Sequence, residues 1–575
     1  MEQKIRRIEQ DALQRLAQRQ SADGMWRGHL SSSAISTSVS VFALSMIDSQ
    51  RYAAEITRGC EWLCRTVRPD GSWGDSVESP SNMTATLLSF VALTYLGRTP
   101  EATRHYLTEK FGGNTERHLI DGVLAYYGKD LTFSVPILMM CVLAGLVHDE
   151  RHIPTFPFEL ATLPQCLFRF LGLPVVSYAI PALIAIGICQ YRRQQRNMLS
   201  PLRDSIARKA LRRLTLLQPA DGGFLEAAPL TAFVSMCLAA AGEGSHEVTQ
   251  RSAAFLVSTV REDGSWPIDT DLAGWVTSLS AKILGRTSAD ASRLAALIRS
   301  HATQAVHPFT GAAPGGWGWS DLSGSVPDGD DTAGALVALH AAGGGEYTPE
   351  VGGGIRWLMR LQNNDGGMPT FCKGWGKLPF DRSSPDITSH ALLAIGLWLP
   401  VLPGKLRSEA RKSLDGMLRW LESHESPESG WVPLWFGDQD ASDEKAPVYG
   451  TATAIDYLMQ TGIYEAKALA VKHIAYLLRA QNADGGWGGN TGIASKVTYT
   501  ARALTALSYF PEQGRDAIRR GIDFLAKRLD EGSLYDPEPI GLYFSRLWYS
   551  EEMYNITFVL WAMKQLKDKD RNENN

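Results

Sequence analysis

Residues 480–489 read AQNADGGWGG, and near-copies recur along the chain: RQSADGMW (19–26), VRPDGSWG (67–74), LQPADGGF (217–224), VREDGSW (260–266) and LQNNDGGM (361–368), with a weaker SPESGW at 426–431. Successive copies lie 47 residues apart (Asp23 to Asp70) and 42 apart (Asp221 to Asp263). A period of that size suits one helix pair per repeat. Asp-Gly is turn chemistry, the glycine supplying the left-handed residue that ends one element before the next begins. The preceding segments CEWLCR, IRWLMRL and IAYLLRA carry apolar residues at helical spacing, and no run keeps the period-2 alternation of a strand for long. The expected fold is therefore all-α, built from stacked helix pairs. Copies at both ends, with a gap between Asp70 and Asp221, point to two closed α/α toroids over 20–290 and 300–575. The charged helix at 1–19 is expected to pack on the second.

Composition narrows the function. A chain of 575 residues is too long for one core. With 44% apolar and 21% charged residues it reads as folded and globular. A net charge of −4 and no sustained basic stripe exclude a nucleic-acid partner from the reading. Seven cysteines without CxxC spacing indicate neither a zinc site nor a disulfide framework, which fits a reducing, cytoplasmic location. The N-terminal MEQKIRRIEQDALQRLAQRQ has no apolar signal core. Two segments, LTFSVPILMMCVLAGLV (131–147) and LGLPVVSYAIPALIAIGICQ (171–190), are long and nearly uncharged. The second could just span a bilayer by length, but Pro174 and Pro181 lie inside it. A buried helix or a one-leaflet contact is expected there, not a transmembrane span.

Residues 325–340 read SVPDGDDTAGALVALH and crowd Asp328, Asp330 and Asp331 ahead of an apolar, helix-like stretch. Three readings are open. The acids can form a solvated turn favoured by the helix dipole, bind a metal, or hold one proton on a carboxyl group as a Brønsted acid.

Taken together, the DG(G/S)W repeats and DGDDTA (328–333) resemble the squalene–hopene cyclase family of class II terpene cyclases. The resemblance covers essentially the whole chain. It implies two α/α barrels and QW-type repeats whose Gln and Trp tie outer helices together. It also implies a large cavity between the barrels and monotopic attachment around an apolar entrance. For the chemistry it implies that Asp330 protonates a terminal isoprene double bond, with Asp328 and Asp331 holding a proton in the cluster. His390, in PDITSHALLAI, matches the family histidine that pairs with the first aspartate, here Asp328, and Asp386 one turn earlier is placed to orient its ring. Aromatic walls would stabilise the growing carbocation. Trp319 matches an aromatic near the early cationic centres. Trp275, Trp317, Phe371, Trp431, Tyr449, Phe544, Trp548 and Tyr549 resemble further cavity positions. No cofactor and no metal are expected. The expected partners are an apolar polyprene, one membrane leaflet and a second copy in a homodimer.

The chain departs from the family pattern at Met368, where the repeat usually ends in Trp, and at Tyr178, where no tryptophan is offered. It also departs in the short 190–215 region, in the charged insertion at 437–447, and at Glu551 and Glu552 beside the terminal aromatics. DGDDT also fits the DxDxT pattern of haloacid-dehalogenase-type phosphatases, but WSDLSGSVP cannot be the strand that chemistry needs. A class I terpene synthase would want DDxxD. An α/α glycosidase would want two separated carboxylates, for which Asp330 and Asp386 are the candidates, and a polar cleft. A toroid used only as an interaction scaffold is the non-catalytic alternative. The leading expectation is a metal-independent cyclase taking squalene to a hopene-type pentacycle, with a C35 polyprene or C20 prenyl diphosphate as the alternative substrate.

Overall fold

The structure, a computed structural model, describes residues 1–128, 131–163, 180–285, 290–308, 311–343, 345–371, 373, 379–543 and 547–573. It is mostly helical, and among the described residues the named strands form two short antiparallel pairs: Ser32–Ser33 with Trp266–Pro267, and Gly541–Tyr543 with Leu547–Tyr549.

Two rings organise the helices. Outside them stands α1 (Glu2–Gln18). The first ring has five described inner helices: α2 (Ala34–Asp48), α3 (Met83–Tyr95), α4 (Leu131–Leu143), α5 (Ile180–Arg193) and α6 (Ala228–Leu238). Each packs on the next and α6 returns to α2. The second ring is α7 (Ala273–Leu284), α8 (Gly329–Gly343), α9 (Pro385–Trp398), α10 (Pro447–Gln460), α11 (Val497–Leu507) and α12 (Glu552–Glu573), with α12 closing on α7. Inner helices are apolar nearly all round: α2, α6, α8 and α9 bury most of their residues. Outer helices such as Pro349–Leu361 and Pro511–Asp530 bury one stripe and leave charges outside.

The expected boundaries shift. α7 lies before residue 290 yet is an inner helix of the second ring, because its buried face meets α8 and α12. The 19–26 repeat also belongs there: the Trp26 backbone N–H donates to Thr277 Oγ1 on α7 at 2.9 Å. The first barrel therefore runs from about 31 to 270. α1 packs on α12 and on Pro511–Asp530, filling the sixth outer position of the second ring.

The repeat can be read atom by atom. In AQNADGGW, Asp484 Oδ1 accepts the Gly486 N–H at 3.0 Å, closing the turn. Gly485 takes φ +89°, and a Cβ there would lie 2.5 Å from the Arg520 carbonyl oxygen of the next outer helix. Gln481 donates to the carbonyls of Gly485 and Ala517, both at 2.8 Å. Trp487 Nε1 donates to Leu477 O at 2.7 Å, and its backbone N–H reaches Thr500 on the inner helix at 3.0 Å. Trp26, Trp73 and Trp266 repeat the indole bond to the residue ten earlier. Gln218 and Gln362 repeat the bridge to the next outer helix.

The apolar segments are inner helices. All of α5 from Ile180 to Tyr191 is buried, with Pro181 in its first turn, where a missing N–H is tolerated. In α4 the buried run is Ser134–Val142. Residues 171–179, including Tyr178, lie outside the described residues. No described helix is long and apolar enough to cross a membrane.

Candidate active site

The acidic motif begins α8, and each of its residues has a distinct job. Asp328 is the cap: its Oδ1 accepts the N–H groups of Asp330 and Asp331, both at 2.8 Å, satisfying two donors at the helix start. Gly329 allows close approach, since a Cβ there would lie 2.8 Å from Pro369 O. Thr332 accepts the Trp317 N–H at 3.0 Å, the same inner-helix threonine bond that Thr500 makes in its repeat. This leaves Asp330 facing a cavity of about 100 Å³.

The three carboxyls differ in environment. Asp328 and Asp331 are buried, with their carboxyls in hydrogen-bond contact. Burial, with the charges of Asp328 and Asp330, pushes Asp331 well above the usual carboxylate range, so the pair holds a proton. Asp330 is more open, its side chain 23% exposed against 3% for His390. His390 Nδ1 sits 2.6 Å from Asp330 Oδ1. The histidine thus pairs with the middle aspartate and not with Asp328, whose Oδ1 is committed to capping. Nor does Asp386 orient the ring: its carboxylate takes the Ser384 hydroxyl and the Leu434 N–H instead. The imidazole is held by stacking on Tyr457, with centroids 4.2 Å apart and planes 6° from parallel, and by Trp275 edge-on at 6.1 Å. Burial lowers His390's proton affinity, Asp330 opposes that, and the Lys282 and Arg502 cations reinforce it.

Those two cations escaped the sequence reading. Lys282 bonds Asp456 at 3.3 Å and lies over the rings of Tyr457 and Trp561. Arg502, 4% exposed, bonds the Tyr449 hydroxyl and lies 3.8 Å above the Phe558 ring. The available signal was a single charge inside each of the apolar helices TSLSAKIL and TARALTAL.

The cavity wall contains Trp275, Trp319 and Phe371 from the expected set. Trp319 and Phe371 meet edge-on at 6.3 Å, and Phe371 meets Trp435 at 5.9 Å. The Trp319 indole N–H is buried with no acceptor among the described residues. Asp328 and Asp331 line it beside Asp330, and Trp435, Phe436, Tyr549, Tyr554, Leu272, Leu542, Thr370 and Asp269 complete the wall. Of these, Trp435, Phe436, Tyr554, Leu272, Leu542, Thr370 and Asp269 were not singled out in the sequence, because they come from loops, a short strand and a helix that only the fold brings together. Four expected positions lie outside this wall. Trp317 and Trp431 are repeat tryptophans, their indoles donating to Ile298 O at 2.7 Å and His424 O at 3.0 Å. Tyr449 stacks behind Phe436 at 4.1 Å. Trp548 is buried against Gly437. Phe544 lies outside the described residues.

This arrangement can deliver a proton into a chamber walled largely by aromatic rings. Comparison with known proteins agrees with it. Residues 10–110 match the squalene–hopene cyclase N-terminal domain and 307–568 the C-terminal domain. A squalene–hopene cyclase of Bradyrhizobium diazoefficiens is 25% identical over 286 residues, 44% of this chain and 41% of that protein. A drimenyl diphosphate synthase of Streptomyces showdoensis is 26% identical over 237 residues, 41% of each chain. These alignments span less than half the length of either relative. The fold is shared with ent-copalyl diphosphate synthase from Streptomyces platensis, at 18% identity with a TM-score of 0.62 over 98% of this chain and 99% of that one. With both family domains matched in order and the acid motif seated as described, the chain belongs to the squalene–hopene cyclase family of class II terpene cyclases.

Proposed function

We propose that the chain cyclises a polyprene by protonating a terminal isoprene double bond from Asp330, with squalene the leading substrate and a hopene-type pentacycle the product. The observation that carries this reading is the contrast within the motif. Asp328 and Asp331 are buried and hold a proton beside Asp330, which is the carboxyl bonded to a histidine and the most exposed of the three that line the aromatic chamber. An alkene is a very weak base, so the donor must be strong and the site dry. With Oδ1 bonded to His390, Oδ2 of Asp330 is the oxygen that delivers the proton. The charge left on Asp330 after transfer is met by His390, with Lys282 and Arg502 behind it. Trp275, Trp319 and Phe371 then offer ring faces and edges to a cation that tolerates no nucleophile.

At about 100 Å³ the chamber is well below the ~300–1,000 Å³ of pockets that enclose drug-sized ligands. It encloses the reacting end, and the rest of a polyprene extends past it. A diphosphate-bearing polyprene is the second reading, favoured by the likeness to a drimenyl diphosphate synthase. The described wall, acidic and aromatic, suits a carbocation and repels a diphosphate, which supports a hydrocarbon at this end.

Peripheral membrane contact belongs to the same proposal. The apolar inner helices do not support it, being buried. What does is a different stretch, where Met198, Leu199 and Leu202 are exposed and stand next in sequence to Arg196, a cation paired with Asp204. Incubating the purified protein with squalene and, separately, geranylgeranyl diphosphate, with mass spectrometry of the extracts, tests the reading. A cyclic product that Asp330→Asn does not make is expected. No cyclic product from either substrate overturns it.

A further inference from the structure

The chamber wall holds a fourth carboxylate that the proton-donating cluster does not use. Asp269 lies at the end of the first barrel, just after Trp266–Pro267 and before α7, and is 1% exposed. Its Oδ1 accepts the Thr270 N–H at 2.7 Å, and it shares the wall with Trp275, Tyr549 and Tyr554. Asp269 enters the chamber from the segment after Trp266–Pro267, whereas Asp328, Asp330 and Asp331 enter it from the start of α8, so the two sets of carboxyls reach one chamber from different elements.

The neighbouring Thr270 ties this segment to a strained turn, its hydroxyl donating to the Glu226 carbonyl at 3.3 Å. Glu226 and Leu225 are consecutive non-glycine residues at φ +58° and +55°, a conformation such side chains rarely adopt. This turn places the buried Glu226 carboxyl on the Ser320 hydroxyl, at 2.8 and 2.7 Å. Beyond it, Asp271 pairs at 2.9 Å with the partly exposed Arg27, which also bonds Asp321.

We propose that Asp269 is the base that ends the cyclisation. The inference rests on the class II reading above. Once ring closure has carried the positive charge away from Asp330, a C–H bond next to the cationic carbon breaks. Its electron pair forms the new C=C bond and the proton goes to the Asp269 carboxylate, which later releases it outward past Glu226 and Asp271. Asp330 regains a proton from solvent. One proton enters and one leaves, so the net change is an isomerisation that needs no co-reactant.

The test compares wild type with Asp269→Asn, Asp269→Ala and Asp269→Glu, using squalene and geranylgeranyl diphosphate as probes and resolving products by gas chromatography and mass spectrometry. In the Asn variant the share of the native alkene should fall at least tenfold, in favour of alcohols or alkenes formed by loss of other protons. Asp269→Glu, which keeps the carboxylate, should restore the native alkene as the main product. Asp269→Ala gives the same comparison where the amide perturbs folding. A merely structural role would lower rate and melting temperature with the product ratio intact, and that result overturns the proposal. So does a wild-type product that is wholly an alcohol. A wild type that cyclises neither probe removes the class II reading itself, and is distinguished by the absence of any cyclic product.

Discussion

His390 Nδ1 lies 2.6 Å from Asp330 Oδ1, at the most exposed of the three motif carboxyls that line the chamber. A hydrogen bond to a charged group contributes about 1.5–3 kcal/mol. If it serves the carboxylate formed on proton transfer, His390→Ala should reduce kcat/KM by roughly 10–150-fold. The product pattern should stay the same, because the histidine serves the acid and not the cation. Asp330→Asn should abolish turnover in a folded protein. Steady-state kinetics with product analysis check both, and a changed product mixture at unchanged rate in His390→Ala contradicts the role.

Buried carboxyls give a second expectation. Burial pushes Asp75 up to about 8, Glu551 to about 7 and Asp386 to about 6. Unfolded, such groups titrate near 4. Between those values the folded state binds more protons than the unfolded one, so stability falls as pH rises. The contribution is fully present below about pH 4 and is lost as pH rises through 6 to 8. Melting temperature should be higher at pH 5 than at pH 8.5, and Asp75→Asn should flatten that slope. A melting temperature that climbs over this range would refute the assignment.

The repeat predicts where stability is local. Ala at Gly485 meets both a left-handed φ and the Arg520 carbonyl oxygen 2.5 Å away, whereas Gly462, at φ +74°, has nothing within 4 Å. Backbone strain of this kind costs on the order of 1–3 kcal/mol. Gly485→Ala should therefore lower the urea midpoint clearly more than Gly462→Ala. Equal effects would mean that the close approach between outer helices does not matter.

Much of this architecture is legible in the sequence because the repeat is local chemistry. Asp484, Gly485, Gln481 and Trp487 make their bonds within a few residues or to the neighbouring helix, so their spacing reports the helix pair directly. DGDDTA is local in the same way, with Asp328 capping and Thr332 bonding Trp317. What the chain does not announce is long-range. Trp435, Phe436, Leu542 and Tyr554 reach the chamber from separate loops and helices, and Lys282, Asp456 and Arg502 meet across three inner helices. Trp317 and Trp431 misled for the opposite reason. An aromatic beside a functional motif looks like cavity wall, yet a repeat tryptophan has its N–H committed to an outer helix.

Since the proposed reaction begins with a proton on a carboxyl group, activity should survive exhaustive EDTA treatment. Loss on chelation with recovery on adding Mg²⁺ would point to the metal reading of DGDDT instead.

The last prediction separates chamber wall from acid. Trp319 and Phe371 meet edge-on at 6.3 Å within the wall that holds Asp330. Trp319→Leu and Phe371→Leu keep an apolar side chain but remove the negative ring face that holds positive charge at an intermediate stage. In a desolvated site that loss is on the order of 1–2 kcal/mol. A barrier shift of that size is only about tenfold in rate, yet it lets proton loss compete with the next ring closure. Protonation at Asp330 should persist, and mono- or bicyclic products should accumulate in place of the full product. If both variants instead unfold less cooperatively and still make only the native product, the two rings are ordinary core.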